Sequence, residues 1–413
     1  MPKATLIRGA RQLLTLRGAS GPRRGADLRN LGVIQDGAVL MVDGIIHDVG
    51  PSRRLENLAL ARQANLIDAS GRVVMPGFVD THTHLASGPA RIPDFETHNA
   101  PATPTLARTI QELSPRTLQA QALHIAAEAI RHGTTMLETK SGFGLTEANE
   151  IKILRVDAAL RKQSVPLVST FLCAQLPPNY PDNPDHYLDR ICSHMLPLIH
   201  RRKLAEFAEI SFAENAFTLE HARRFLLAAR ELGFGLKIYT GPQSPAGVIA
   251  MAVELGVSSV GNTFNITFED AALLAHSPAI ATLLPGPVFY SGTENYPPAR
   301  MLIDSGVAVA LGSHYHPERC PSQNMQMMIS LACIHMRMTP AEAVAAATIN
   351  AAHALRQAAV AGSLEPGKSA DLLILRVPDY REIPYHFGVN LVELVMRNGT
   401  VLLETSEVKW PNP

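Results

Sequence analysis

Pro76-Gly-Phe-Val-Asp-Thr-His-Thr-His84 decides how the rest of the chain is read. Pro76-Gly77 marks a start, Phe78 and Val79 begin an apolar run, and His82 and His84 stand at its end, two residues apart. Side chains alternate faces along a strand, so residues i and i+2 point to the same side. Two imidazoles placed that way can share one metal ion, with zinc–nitrogen bonds of about 2.0–2.1 Å. An isolated His-x-His pair is weak evidence, because two ordinary polar residues at a strand end look the same. The pattern that follows carries the decision.

Downstream of Val73, short apolar runs alternate with amphipathic stretches. Strands are expected at Phe78–His84, Thr134–Lys140, Pro166–Ala174 and Phe207–Ala213, then at Leu236–Tyr239, Ser259–Thr263, Ile280–Leu284 and Val307–Gly312. Helices are expected at Gln119–Arg131, Glu147–Arg161, Leu219–Leu232 and Ala246–Leu255. In the third of these, Ala222, Phe225, Leu226 and Ala229 fall on one face at helical spacing. Gly133, Gly233 and Gly256 each stop a helix before the next strand. Eight such units describe an α/β protein of the (β/α)8 TIM-type, more than an open doubly wound sheet. No Gly-rich phosphate fingerprint follows the first strand. Strand-like stretches at Thr5–Ile7, Leu13–Leu16 and Gly37–Val49 near the start, and at Ala370–Leu375 and Val392–Leu403 near the end, predict a small β-sandwich domain built by both termini. The division expected is residues 1–75 with 362–413 for that domain, and 76–361 for the barrel.

Composition narrows the partners. Lys+Arg and Asp+Glu balance at 37 each, which removes the global basic field that nucleic acid would require. Hydrophobic content of 46% with 18% charge is that of a globular chain, and no apolar stretch reaches the roughly 18 residues needed to cross a bilayer. Cys173, Cys192, Cys320 and Cys333 form no CxxC pair, favouring a reducing, cytoplasmic setting over a disulfide framework. Six basic residues and no acid occur in the first 26, superficially like a transit peptide, but the alternation there reads better as strand. A small-molecule protein is the expectation, with neither nucleic acid nor membrane as partner.

Pro76–Leu85 is similar to the first-strand signature of the amidohydrolase superfamily. Gly133-Thr-Thr-Met-Leu-Glu-Thr-Lys-Ser-Gly-Phe-Gly-Leu145 resembles, more narrowly, the second-strand motif of imidazolonepropionases. Thr170–Pro178, Tyr296–Arg300, Ala345–Ala352, Gly362–Lys368 and Tyr385–Asn390 match the same family, so the resemblance spans nearly the whole chain. It implies a metal-dependent hydrolase barrel holding one divalent ion, zinc first and iron as the alternative. In that family the ion is bound by the His-x-His pair, a fifth-strand histidine and an eighth-strand aspartate. It makes water nucleophilic toward the amide of an imidazolone ring. A homodimer is the family expectation.

Carried over residue by residue, the pattern departs at nearly every later position. Tyr239 stands at the fifth-strand histidine, Pro242 at the neighbouring glutamate, Asn262 at the sixth-strand histidine and His314 at the eighth-strand aspartate. Gln175 replaces a third-strand histidine and Phe143 a tyrosine, whereas Arg91 matches an arginine that grips a substrate carboxylate. One reading is a divergent hydrolase of a carboxylate-bearing cyclic amide. His82, His84 and His314 would hold the metal, with His316 as ligand or base and Tyr239 as a phenol donor. Glu138 and Glu214 are its acid candidates, and Arg91, Phe143, Gln175 and Asn262 would contact substrate. A catalytically silent barrel that binds a ligand or partner is the second reading. A lyase or isomerase working through the histidine cluster is the third.

Overall fold

The protein is described by a computed structural model that covers residues 3–89, 92, 103–177, 180, 183–213, 216–242 and 244–405. Strands β1 (Ala4–Leu14), β2 (Val33–Val42), β3 (Ile45–Pro51), β4 (Asn65–Asp68) and β5 (Val73–Pro76) come first. The barrel strands follow: β6 (Phe78–Thr83), β7 (Thr134–Lys140), β8 (Leu167–Cys173), β9 (Phe207–Ser211), β10 (Gly235–Tyr239), β11 (Ser259–Gly261), β12 (Ile280–Leu283) and β13 (Val309–Leu311). β14 (Leu372–Leu375), β15 (Val392–Arg397) and β16 (Thr400–Glu404) close the chain.

β6 to β13 pair in sequence order, every neighbouring pair parallel. A parallel bridge between Thr83 and Tyr315 joins the first strand to the segment after the last, as does the 2.8 Å bond from His84 N–H to the Tyr315 carbonyl. The (β/α)8 architecture is therefore present, and its closure brings residues 82–84 beside residues 314–316. The helices obey the stop signals read from sequence. Gly133 sits at φ +95° and Gly233 at φ +86°, conformations that cost other residues strain and end the helix before each strand. Thr218 opens the helix Leu219–Glu231 with a reciprocal cap to His221. Its face of Ala222, Phe225, Leu226 and Ala229 is fully buried, about 1.5–3 kcal/mol for each large apolar side chain.

The remaining eight strands make one small β domain from both termini. They form a continuous hydrogen-bonded path, β16-β15-β14-β5-β1-β2-β3, with β4 paired to β1. Thr5–Ile7 and Leu13–Leu16 were expected as two short strands; Thr5–Ile7 and Leu13–Leu14 belong to one strand interrupted by a register shift between Ile7 and Ala10, and Thr15 and Leu16 lie beyond its end. Ile7, Leu13, Val39, Ile46, Val74, Leu372 and Leu394 share one apolar cluster within it. The N-terminal residues described are thus structural. No helix among the described residues is long and apolar enough to cross a membrane.

Candidate metal centre

Barrel closure gathers His82, His84 and His314, each with a potential ligand atom lying within 4.8 Å of the others. All three are buried, at 2%, 2% and 7% exposure. The His82 and His314 rings stack at 4.4 Å and 15°, and the His84 ring stands 5.8 Å from His314 at 64°. His82 Nε2 and His84 Nε2 are 3.3 Å apart. Two nitrogens bound tetrahedrally to one zinc at about 2.0–2.1 Å would be separated by about 3.3–3.4 Å. His314 reaches the cluster because its backbone takes the left-handed conformation, φ +56°, which is strained for a residue with a Cβ.

The protonation states suit a cation. A carbonyl can only accept, so the 3.1 Å contact between His84 Nδ1 and the Lys140 carbonyl puts the ring proton on Nδ1 and leaves the Nε2 lone pair free for a metal. Burial, reinforced by the Lys140 ammonium, lowers His84 to about 3. Burial also pushes His82 and His314 well below the ordinary histidine range, aided by Lys140 and by His84 respectively. Three neutral imidazoles result at pH 7. His314 Nδ1 is buried and has no hydrogen-bond partner among the described residues, and a buried polar atom of that kind calls for one. The donor set, the nitrogen spacing and this orphan nitrogen all fit a divalent ion.

Around the triad the other expected residues fall out unevenly. Tyr239, at the end of β10, places its ring 5.4 Å from His82 and 5.9 Å from His314. His316 is fully buried, 5.7 Å from His84 between ring centroids, but is not one of the three grouped ligands. Phe143 packs 4.7 Å from both His84 and His316. Asn262 follows β11 at φ +63° and donates its Nδ2–H to the Thr240 carbonyl at 2.8 Å. Gln175 is half-buried beyond β8, and among the described residues nothing ties it to the histidines. Arg91 and Glu214 lie outside the described residues.

Comparison with known proteins identifies the family. Residues 73–402 match the model of the amidohydrolase family. The chain is 35% identical to imidazolonepropionase from Alkaliphilus metalliredigens, over 98% of its own length and 99% of the relative's. It is 38% identical to imidazolonepropionase from Geobacillus kaustophilus, over 97% and 98%. The chain belongs to the amidohydrolase family. Among solved structures, an adenosine deaminase from Xanthomonas campestris with bound zinc superposes with a TM-score of 0.71 at 19% identity, over 97% of this amidohydrolase and 93% of that chain. The ochratoxinase of A. niger superposes at 0.72 with 17% identity, over 98% and 96%. At those identities the likeness is one of fold.

Inside this amidohydrolase, a layer of charge lies below the histidines. Lys140 on β7 pairs with Glu209 on β9, and Lys237 on β10 pairs with Glu138 on β7 at 2.6 Å. These strands are not neighbours, so the side chains can meet only in the barrel interior. Lys140 also lies 3.4 Å from Glu138, which accepts from Thr170 Oγ1 as well. Burial would push the Glu138 carboxyl up, yet the Lys140 and Lys237 ammoniums more than offset it and hold it below the usual range. Expected as an acid candidate, Glu138 is instead an anion engaged by two cations. Lys140, Glu209 and Lys237 went unassigned in the sequence reading. Their signal was there, as charges set in strand segments: Glu138 and Lys140 in Thr134–Lys140, Glu209 alone in Phe207–Ser211 and Lys237 alone in Gly235–Tyr239.

Proposed function

We propose that this amidohydrolase is a metal-dependent hydrolase that opens a C–N bond in a small, carboxylate-bearing cyclic amide, with a site diverged from that of its imidazolonepropionase relatives. The observation that carries the reading is the buried group of His82, His84 and His314 at the C-terminal mouth of the barrel. A divalent ion there, zinc first and iron as the alternative, would supply a Lewis acid able to make water nucleophilic near neutral pH. Neutral imidazoles leave lone pairs for it, and the Lys140 carbonyl orients His84. Tyr239 and Phe143 wall the centre on the substrate side, with Arg91 assigned to the carboxylate, Gln175 and Asn262 lining the mouth, and Glu138 supporting the barrel below. A silent binding barrel is disfavoured because decay has no reason to leave a third imidazole stacked on His82 in a strained backbone conformation.

The test is a screen of zinc- and iron-supplied protein against imidazolones, hydantoins and dihydropyrimidinones, with ring opening followed by ultraviolet absorbance. At least one should open in the wild type, with the rate falling by 100-fold or more in His82→Ala, on the scale expected when a site's principal electrostatic stabiliser is lost. Turnover that persists in His82→Ala would remove the metal from the reaction.

A further inference from the structure

His316 was expected to serve as a metal ligand or base, but its hydrogen bonding assigns it otherwise. The Glu318 backbone N–H donates to His316 Nδ1 at 3.3 Å. A neutral imidazole accepting at Nδ1 must carry its proton on Nε2. To act as ligand or base through Nε2 it would move that proton to Nδ1 and set two N–H groups against each other. The backbone that carries the ring is held in place. His316 N–H donates to the Cys320 carbonyl at 3.0 Å, and its own carbonyl accepts from Cys320 N–H at 2.9 Å and Arg319 N–H at 3.2 Å. Phe143 packs against the ring.

Nε2 is buried, and among the described residues it has no hydrogen-bond partner. An orphaned donor of this kind costs about 1–3 kcal/mol unless something answers it. Nδ1 faces the Glu318 backbone, so Nε2 lies on the ring's opposite side, and the His84 ring is 5.7 Å away. We propose that His316 presents Nε2–H as a fixed hydrogen-bond donor to the oxygen of a ligand held at the His82–His84–His314 centre, an inference that rests on that centre binding a metal. In an amide hydrolysis that oxygen is the carbonyl oxygen on which negative charge develops, where a preset donor acts most strongly.

Two measurements test it. In protein labelled with ring-15N histidine, the His316 signals, identified by their loss in His316→Gln, should show the Nε2–H tautomer at neutral pH. An Nδ1–H tautomer would overturn the proposal whatever the metal does. Cobalt-substituted protein then reports oxygen-anion binding through its visible spectrum, with acetate as the probe. His316→Leu should keep the cobalt spectrum and bind acetate about tenfold more weakly, the scale of one hydrogen bond to a charged group. His316→Gln, whose amide N–H can stand near the position of Nε2–H, should recover most of the loss. An intact cobalt spectrum with unchanged acetate affinity in His316→Leu would overturn the donor role. Failure of the wild type to bind cobalt would instead remove the metal centre itself.

Discussion

Two polar layers stand one above the other inside the same barrel, and they are built in opposite ways. In the lower layer Glu138, Lys140, Glu209 and Lys237 balance their charges and find partners across non-neighbouring strands. In the upper layer His82, His84, His314 and His316 are neutral, crowded and incompletely paired, with His314 Nδ1 and His316 Nε2 lacking any partner among the described residues. Both layers are buried, so burial alone does not separate scaffold from site. Satisfaction does. A closed ion network braces the barrel, whereas polar atoms left unanswered in a dry interior are arranged for something that arrives later.

The comparison breaks most readily at Lys237. Lys237→Met leaves Glu138 buried beside one cation fewer, and urea unfolding should show a loss of about 3–5 kcal/mol. Combining it with Glu138→Gln should cost less than the two single changes summed, because the two act on one interaction. A loss under about 1 kcal/mol for Lys237→Met would mean that the lower layer does not brace the barrel. The upper layer should respond in the opposite sense. His314→Gly removes a ring but also relieves the left-handed backbone, worth roughly 1 kcal/mol, so its unfolding midpoint should barely move. Its metal binding should be lost all the same. Strong destabilisation by His314→Gly would make His314 a packing residue.

The difference between the layers also explains what could be read in advance. Strand and helix placement followed from local patterns. Thr134–Lys140 was bounded as found, and Gly133 and Gly233 stopped their helices where expected, since apolar runs and left-handed glycines act over a few residues. His82 and His84 were legible because i, i+2 geometry is a property of a single strand. His314 was legible as a candidate, but its contact with His82 depends on the Thr83–Tyr315 closure, a link spanning most of the chain. Lys237 and Glu209 were passed over for the same reason: each is one charge in an apolar run until the closed barrel brings its partner. The tautomer of His316 was beyond sequence altogether, because it is set by a backbone N–H two residues away in a turn whose shape no motif announces. Asn262, expected against substrate, had its amide turned to Thr240 by a left-handed backbone that its residue type permits but does not require.

The central claim is that the upper layer is a metal centre of three imidazoles. Its most direct test is elemental analysis of the purified chain expressed with zinc and iron supplied, beside the His82→Ala/His84→Ala and His314→Ala variants. The wild type should carry about one ion per chain, as a single three-histidine site would, and both variants should carry almost none. A wild type without stoichiometric metal, or a His314→Ala variant that keeps it in full, would contradict the assignment.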